Sequence, residues 1–90
     1  MKYEINRRFE KDLLNLPEAA EKAAGVFLVE LEAAKTLRDI RNCIPLRGMK
    51  NAFRVRHGDY RILLVLYVQN EVVHLMRILT RGQAYKKNVL

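Results

Sequence analysis

The first half of the chain places its apolar residues at helical spacing. After a short alternating segment, KYEI at 2–5, which predicts a strand, Asn6 can cap a helix through Leu16. Pro17 suits the first turn of a second helix, because its missing N–H would be unpaired there anyway. The apolar positions of that helix follow i, i+3, i+4, i+7 spacing: Ala20, Ala23, Ala24, Phe27, Leu31 and Ala34. The pattern predicts a helical hairpin.

The period changes to two in the second half. Pro45 and Gly48 mark an irregular connection, after which FRVRH alternates, RILLVLYV is apolar on both faces, and VVHLMRIL follows a turn at 69–70. We expect three antiparallel strands in a meander, with the middle one most buried. Helices that precede strands indicate an α+β fold, an N-terminal helical hairpin packed on a small, mainly antiparallel β-sheet. The basic tail, RGQAYKKNVL, is expected to be a short helix or an ordered end.

The dipeptide Gly-Asp at 58–59 has the composition of a two-residue hairpin loop. A hairpin with this loop pairs the strand before it with the strand after it, so that Arg56 lies opposite Arg61 and Arg54 lies on the same face of the sheet. Like charges that oppose each other across a ladder cost about 0.2–1 kcal/mol of stability. We therefore expect an anionic ligand to offset the repulsion.

Length and composition limit the class of protein. The 90 residues suffice for one domain, 1–90, since a second core would not fit, and 50% hydrophobic with 30% charged residues is a globular composition. The start, MKYEINRRFEKD, has no apolar signal region, and the longest apolar run is far shorter than the roughly 20 residues of a membrane span. A cytosolic (cytoplasmic) protein without membrane contact is expected. The single cysteine, Cys43, is expected to be a buried or half-buried filler.

The formal charge of +7 is unevenly distributed. Residues 1–40 carry seven basic and eight acidic side chains, a net of −1, whereas residues 41–90 carry ten basic and two acidic side chains, a net of +8. Because Lys and Arg gain affinity by displacing counterions from phosphates, this asymmetry favours a polyanionic partner. A merely soluble basic surface is the alternative that charge alone leaves open.

Several kinds of site find no support in the sequence. His57 and His74 are far apart and lie outside any cluster of metal-ligand spacing. The chain has no serine, and its four glycines are scattered rather than grouped in a phosphate-cradling loop. No metal or other cofactor is therefore expected.

The arginines are the remaining candidates for a functional site. Arg81 and Tyr85 follow the last strand at a spacing of four, on one side of a helical turn. Guanidinium groups bind phosphate bidentately, and an aromatic ring beside them can stack on a base. With the hairpin arginines they predict an RNA site, whose side chains should be partly exposed, so that loss of Arg61 or Arg81 costs little stability. The alternative is a solvated edge with ordinary ion pairs, but this half has only two acids for ten bases.

These residues carry a family resemblance. The segment LRGMKNAFRVRHGDYRILLVLYVQNEVVHLMRILTRGQAY closely resembles the second half of RelE/ParE superfamily toxins of bacterial type II toxin–antitoxin systems. The shared pattern is a Leu-Arg-Gly-like turn, an aromatic-Arg-x-Arg strand, a Gly-Asp-Tyr-Arg turn, an apolar strand, and an Arg with a Tyr four residues later. FEKDLLNLP and one long helix fit the first half more loosely. The resemblance covers nearly the whole chain and implies the RelE-like microbial RNase-type fold.

Members of the RelE branch are ribosome-dependent endoribonucleases that cut messenger RNA in the decoding site, where the RNA's own 2′-hydroxyl attacks the adjacent phosphate. The resemblance implies that Arg54 and Arg56 occupy the basic strand positions and that Arg61 clamps the transition state. It also implies that Arg81 lies near the leaving oxygen and that Tyr85 stacks on a base. The expected activity is that of a metal-independent endoribonuclease that inhibits translation.

The chain departs from that pattern where a general base is needed. Well-known active members have Lys at the positions of Arg54 and Arg56, and an arginine essentially cannot lose its proton. His57 or His74 could substitute, although a strand histidine is more often a packing residue. Thr80 stands where many relatives have His or Lys. The basic cluster would then act mainly by stabilising the pentavalent phosphate electrostatically.

The resemblance also implies partners. They are an acidic antitoxin, the ribosome with its messenger RNA, and operator DNA bound by the toxin–antitoxin complex. A flexible acidic segment of the antitoxin would be attracted to the basic half and would dock on the helical hairpin or on a free sheet edge. Two alternatives stay open: a ParE-like DNA gyrase inhibitor without RNase activity, and an inactive relative that acts in a repressor complex.

Overall fold

Five strands, two helices and two short 3₁₀ turns make up the part of the chain that is described. The structure is a computed structural model, and it describes residues 1–85. The elements are β1 (Lys2–Ile5), α1 (Arg7–Leu14), α2 (Glu18–Ala33), β2 (Cys43–Pro45), β3 (Ala52–His57), β4 (Tyr60–Tyr67) and β5 (Val72–Thr80), with 3₁₀ turns at Leu37–Asp39 and Gln83–Tyr85. The strands form one sheet in the order β1-β5-β4-β3-β2. The predicted α+β architecture is confirmed.

The first helix begins where the sequence predicted and ends two residues early. The Asn6 side chain accepts a hydrogen bond from the Arg8 N–H at 2.8 Å, which satisfies one of the unpaired donors of the first turn. The helix ends at Leu14 rather than Leu16, because the residue before a proline is disfavoured in the helical region. Pro17 then occupies the N-cap position of α2, without a capping hydrogen bond from its side chain.

The core lies between the helices and one face of the sheet. From α1 and α2 it takes Phe9, Ala20, Ala24, Phe27 and Leu31, all almost fully buried. From the sheet it takes a row that runs through β3, β4 and β5: Val55, Ile62, Leu64, Val73, Leu75 and Ile78. Since strand side chains alternate between faces, the neighbours of this row in β3 and β4 point away from the helices.

The meander of β3, β4 and β5 is antiparallel, as predicted, and β4 is its middle strand. Gly58 has φ +60°, the left-handed conformation that a two-residue hairpin turn requires, and Arg56 pairs with Arg61 as expected. Two further pairings were not predicted. The segment read as an irregular connection contains the edge strand β2, and β1 pairs with β5 in parallel. Pro45 is tolerated in β2 because an edge strand needs donors on one side only.

An irregularity in β5 and one carboxylate fix the end of that strand. The β4–β5 register shifts between Leu63 and Leu64, so that Leu75 and Ile78 both reach the core. The carboxylate of Asp12 in α1 accepts from the Arg77 Nε at 2.7 Å and from the Ile78 N–H at 3.1 Å. Helix α1 thus supplies an acceptor to the edge of β5 beyond the point where β1 ends.

None of the helices between residues 1 and 85 is long and apolar enough to cross a membrane.

Candidate functional site

A basic groove lies on the sheet face that points away from the helices. Alternation along the strands brings Arg54 and Arg56 of β3 and Arg61 of β4 to this face. The groove has a volume of about 270 Å³. Its lining residues are Asn42, Ile44, Arg54, Arg56, Arg61 and Tyr85. We call this set the arginine groove.

Arg61 is built into the hairpin rather than extended into solvent. Its side chain is only 8% exposed, and Nη1 donates to the carbonyl oxygens of Gly58 and Tyr60, both at 2.9 Å. The expectation of a partly exposed Arg61 is therefore wrong. The two carbonyls hold the guanidinium in place, and this explains how it remains beside Arg56 despite their like charge. Arg54 is half-buried, whereas Arg56 is exposed.

Tyr85 and Arg81 enter from the segment after β5. The Arg81 N–H donates to the carbonyl oxygen of Asp59 at 3.0 Å, which ties this segment to the hairpin loop. The Tyr85 side chain is 69% exposed, and its pKa lies below the usual tyrosine range. Hydrogen bonding from the Arg81 guanidinium is the main cause, and the positive charges of Arg81, Arg61 and Arg54 add to it. The five residues that the sequence singled out are thus brought together.

Two lining residues were missed by the sequence analysis. Asn42 has φ +58°, a left-handed conformation that asparagine tolerates, and its carbonyl oxygen accepts from the Arg56 N–H. Ile44 pairs with Arg54 across β2 and β3, so both side chains lie on the groove face, and Ile44 is 46% exposed. The only signal in the sequence was a turn-prone asparagine before a three-residue strand, too short to show a period of two.

The two histidines lie elsewhere. His57 borders a separate depression with Glu30 and Arg41, and the alternation of β3 directs it to the helix side. The His74 ring stacks on Tyr67 with centroids 3.9 Å apart, and its Nδ1 lies 3.6 Å from a carboxylate oxygen of Glu4. Neither lines the arginine groove. Their placement gives no support to a general-base role for either histidine.

Other features of the surface offer less convergent chemistry. A larger depression of about 380 Å³ lies beside Leu66, at the far end of β4, and mixes Lys35 and Glu71 with apolar side chains. Within residues 1–85, no group of three or more His, Cys, Asp or Glu side chains is placed to hold a metal ion. Cys43 is half-buried, as expected, and burial raises the pKa of its thiol.

The chain is similar over almost its whole length to two curated proteins of Methanocaldococcus jannaschii. It is 29% identical to "Toxin RelE3" over 86 residues, which cover 94% of this chain and 96% of the relative. It is 28% identical to "Putative toxin RelE1" over 83 residues, with 92% of each covered. No protein-family model matches the chain.

Solved structures of RelE proteins have a fold similar to that of this chain. RelE in the RelB–RelE antitoxin–toxin complex from Methanococcus jannaschii superposes with a TM-score of 0.75 at 23% identity, over 90% of this chain and 93% of the other. The RelE–RelB complex from Pyrococcus horikoshii OT3 gives a TM-score of 0.72 at 26% identity, over 91% and 96%. The chain therefore resembles RelE toxins along almost its whole length and shares their fold.

The arginine groove has a defined chemical character. Its arginines donate hydrogen bonds and carry fixed positive charge, but they cannot accept a proton at ordinary pH. Tyr85 adds an exposed ring and a titratable hydroxyl. Side chains of these kinds can bind a phosphodiester, stabilise negative charge that develops on it, and offer one surface for stacking.

Proposed function

We propose that this protein is a RelE-like toxin, which acts in a type II toxin–antitoxin pair as an endoribonuclease that cleaves messenger RNA on the ribosome and so inhibits translation. The arginine groove is the observation that carries the proposal. Arg54, Arg56 and Arg61 line it from two adjacent strands, and Tyr85 closes it. In a chain that resembles RelE toxins along its length, a site of this composition suits a single phosphodiester with its flanking base.

The reaction that this groove would support needs no metal. The RNA's own 2′-hydroxyl attacks the adjacent phosphorus, a new oxygen–phosphorus bond forms, and the bond to the 5′-oxygen of the next nucleotide breaks. The negative charge on the equatorial oxygens grows in the pentavalent transition state. Fixed guanidinium groups stabilise that charge more than the charge of the ground state, which lowers the barrier.

Proton transfer falls to Tyr85 in this proposal. Because the groove's arginines keep their protons and both histidines lie elsewhere, Tyr85 is the titratable group that residues 1–85 bring to the groove, and as a phenolate it would accept the proton of the 2′-hydroxyl. The neighbouring guanidinium groups lower its pKa and so raise its phenolate fraction at a given pH. Arg81, which also bonds this hydroxyl, would stabilise the negative charge on the leaving 5′-oxygen, and that oxygen would take its proton from water.

We also propose a cognate acidic antitoxin as the partner of this chain. The solved relatives are complexes of RelE with RelB. Residues 41–90 carry a net charge of +8, which favours an acidic, flexible partner that folds on binding. A complex of the two would then bind operator DNA. Co-expression with the product of the adjacent gene, followed by gel filtration, tests this part of the proposal.

Ribosomes programmed with a defined message test the activity directly. The purified protein should cut the message, and mapped 5′ ends should give the sites. Removing the charge of Arg54 or Arg56 by substitution with alanine should lower the cleavage rate about 100- to 1,000-fold, by analogy with loss of one transition-state donor. Arg8→Ala, an exposed arginine of α1, is the matched control and should cut like the wild type. Inhibition of DNA supercoiling without any cleavage would instead identify a gyrase poison.

A further inference from the structure

Two reciprocal hydrogen bonds close the link between β5 and Tyr85. The Thr80 N–H donates to Oε1 of Gln83 at 3.0 Å, and the Gln83 N–H donates to Oγ1 of Thr80 at 3.3 Å. Each side chain therefore holds the backbone of the other residue, as in a capping box at the start of a helical turn. We call this pair the Thr80–Gln83 bracket.

The bracket is anchored on one side and carries Tyr85 on the other. Thr80 is the last residue of β5 and pairs with Tyr60 in β4. The next residue, Arg81, is fixed by the bond from its N–H to the Asp59 carbonyl. Gln83 begins the 3₁₀ turn that ends at Tyr85. The path from the sheet to the Tyr85 ring thus runs through these two side chains.

The segment between β5 and Tyr85 is exposed, so hydrogen bonds are needed to hold it in place. Arg81, Gly82, Gln83 and Tyr85 are all exposed, so packing in the core does not fix this segment. Glycine also widens the range of conformations that an unbraced chain would sample. A catalytic side chain must be held within about 0.5 Å of its productive position, and here hydrogen bonds to the backbone have to supply that restraint.

We propose that Thr80 and Gln83 are positioning residues, whose bracket holds the Tyr85 hydroxyl beside Arg81 at the mouth of the arginine groove. Neither side chain lines the groove. Their effect on the reaction therefore passes through the placement of Tyr85. The role in cleavage rests on the proposed function, whereas the role in placing Tyr85 does not.

Three variants and a matched control separate this role from general stability. Thr80→Val removes the Oγ1 acceptor with little change of shape, Gln83→Ala removes the Oε1 acceptor at an exposed site, and Thr80→Ser restores the hydroxyl. Thr36→Val is the control, because Thr36 begins the other 3₁₀ turn with a capping box of the same kind: its Oγ1 accepts from the Arg38 N–H and its own N–H donates to Asp39. Thermal unfolding of each variant establishes that it is folded.

Two properties of each variant are measured. The first is the pH titration of the Tyr85 phenolate by ultraviolet absorbance, taken as the difference between each variant and the same protein with Tyr85→Phe. The second is the steady-state kinetics of cleavage on programmed ribosomes. In Thr80→Val and Gln83→Ala we expect the Tyr85 titration to move up towards its ordinary range. We expect kcat to fall about 10- to 100-fold, with KM nearly unchanged because the groove arginines remain.

Thr80→Ser and Thr36→Val should match the wild type in both readouts. An unchanged Tyr85 titration in both Thr80→Val and Gln83→Ala would overturn the proposal. A shifted titration with unchanged kcat would overturn the role in the reaction. If the wild type cleaves no message, the proposed function fails, and the titration alone still decides whether the bracket places Tyr85.

Discussion

Arg61 shows how one residue serves both the fold and the site. Its guanidinium donates to two carbonyl oxygens of the hairpin and also lines the arginine groove. Hydrogen bonds from a charged donor contribute about 1.5–3 kcal/mol, and their loss here would leave two carbonyls of the turn without this partner. The site therefore depends on an arginine that the hairpin itself requires.

We expect Arg61→Ala to lower the free energy of unfolding by about 1.5–3 kcal/mol. Arg61→Lys should lie between the wild type and Arg61→Ala, since an ammonium keeps the charge but lacks the planar fork of donors. Urea unfolding at constant m-value measures both. Arg56→Ala, an exposed arginine of the same groove, is the control for charge and should be no less stable than the wild type, since it removes a like-charge repulsion of about 0.2–1 kcal/mol. An unchanged urea midpoint for Arg61→Ala would contradict the anchoring role.

Tyr85 predicts a pH dependence of cleavage. Its pKa is lowered in the folded protein, so the phenolate forms at a lower pH than in an ordinary tyrosine. If the phenolate accepts the proton, kcat should rise with pH up to the Tyr85 pKa and level off above it. Tyr85→Phe should remove this limb while keeping a ring for stacking. His57→Gln and His74→Gln should retain it, and loss of the limb in either would make that histidine the base instead.

At the scale of elements, the end of β5 is held by a helix rather than by another strand. The Asp12 carboxylate in α1 bonds the Arg77 guanidinium at 2.7 and 3.0 Å and the Ile78 N–H at 3.1 Å. Both charged side chains are largely buried, with 12–15% of their surface exposed. This contact fixes β5 just before the bracket and Arg81, so it links the packing of α1 to the geometry of the groove.

We expect Asp12→Ala to destabilise the protein by about 3 kcal/mol, because removing one partner of a largely buried ion pair costs more than the pair itself contributes. The Ile78 N–H loses its acceptor as well. Glu10→Ala removes an exposed acid from the same helix and is the matched control. Thermal unfolding of both variants would measure the difference. Equal midpoints would show that α1 does not hold β5 through Asp12.

At the scale of the whole molecule, charge is segregated along the chain. Residues 1–40 carry a net charge of −1 and residues 41–90 carry +8. The sheet brings three arginines of the basic half to its helix-free face, while the acidic side chains of the first half lie mostly on the helices. A polyanion therefore meets the basic half on a face that the helices leave open.

We expect the affinity for single-stranded RNA to fall linearly on a plot of log affinity against log salt concentration. Each phosphate contact adds about 0.7 to the magnitude of the slope, so Arg56→Ala should reduce it by about that amount. Arg8→Ala changes the net charge equally but lies on α1, and should leave the slope as it is. Fluorescence anisotropy over a range of salt concentrations would measure this. Equal reductions in both variants would mean that net charge, rather than the groove, binds RNA.

The sequence predicted those features that depend on neighbouring residues. The Asn6 cap, the apolar face of α2 and the hairpin register that pairs Arg56 with Arg61 are all confirmed. Each follows from a periodicity or a turn signal that spans a few residues, and such signals are set by local backbone geometry. The predicted register also placed Arg54 and Arg61 on the same face of the sheet as Arg56. All three arginines that line the groove were therefore predicted to lie together. The last residues of the basic tail, 86–90, lie outside the described part of the chain.

Tertiary structure alone decided the rest. The strand β2 is too short to show a period, so Asn42 and Ile44 entered the groove only through pairing with β3. Parallel pairing of β1 with β5 joins residues some 70 positions apart in the chain, as in Lys2 with Val72, and no local pattern encodes such a contact. The burial of Arg61 was missed for a different reason: its carbonyl partners Gly58 and Tyr60 are near it in the chain, but a charged residue is normally exposed, and only the folded structure shows that this one is covered. Local sequence determined which residues could form the site, and long-range packing determined which of them meet.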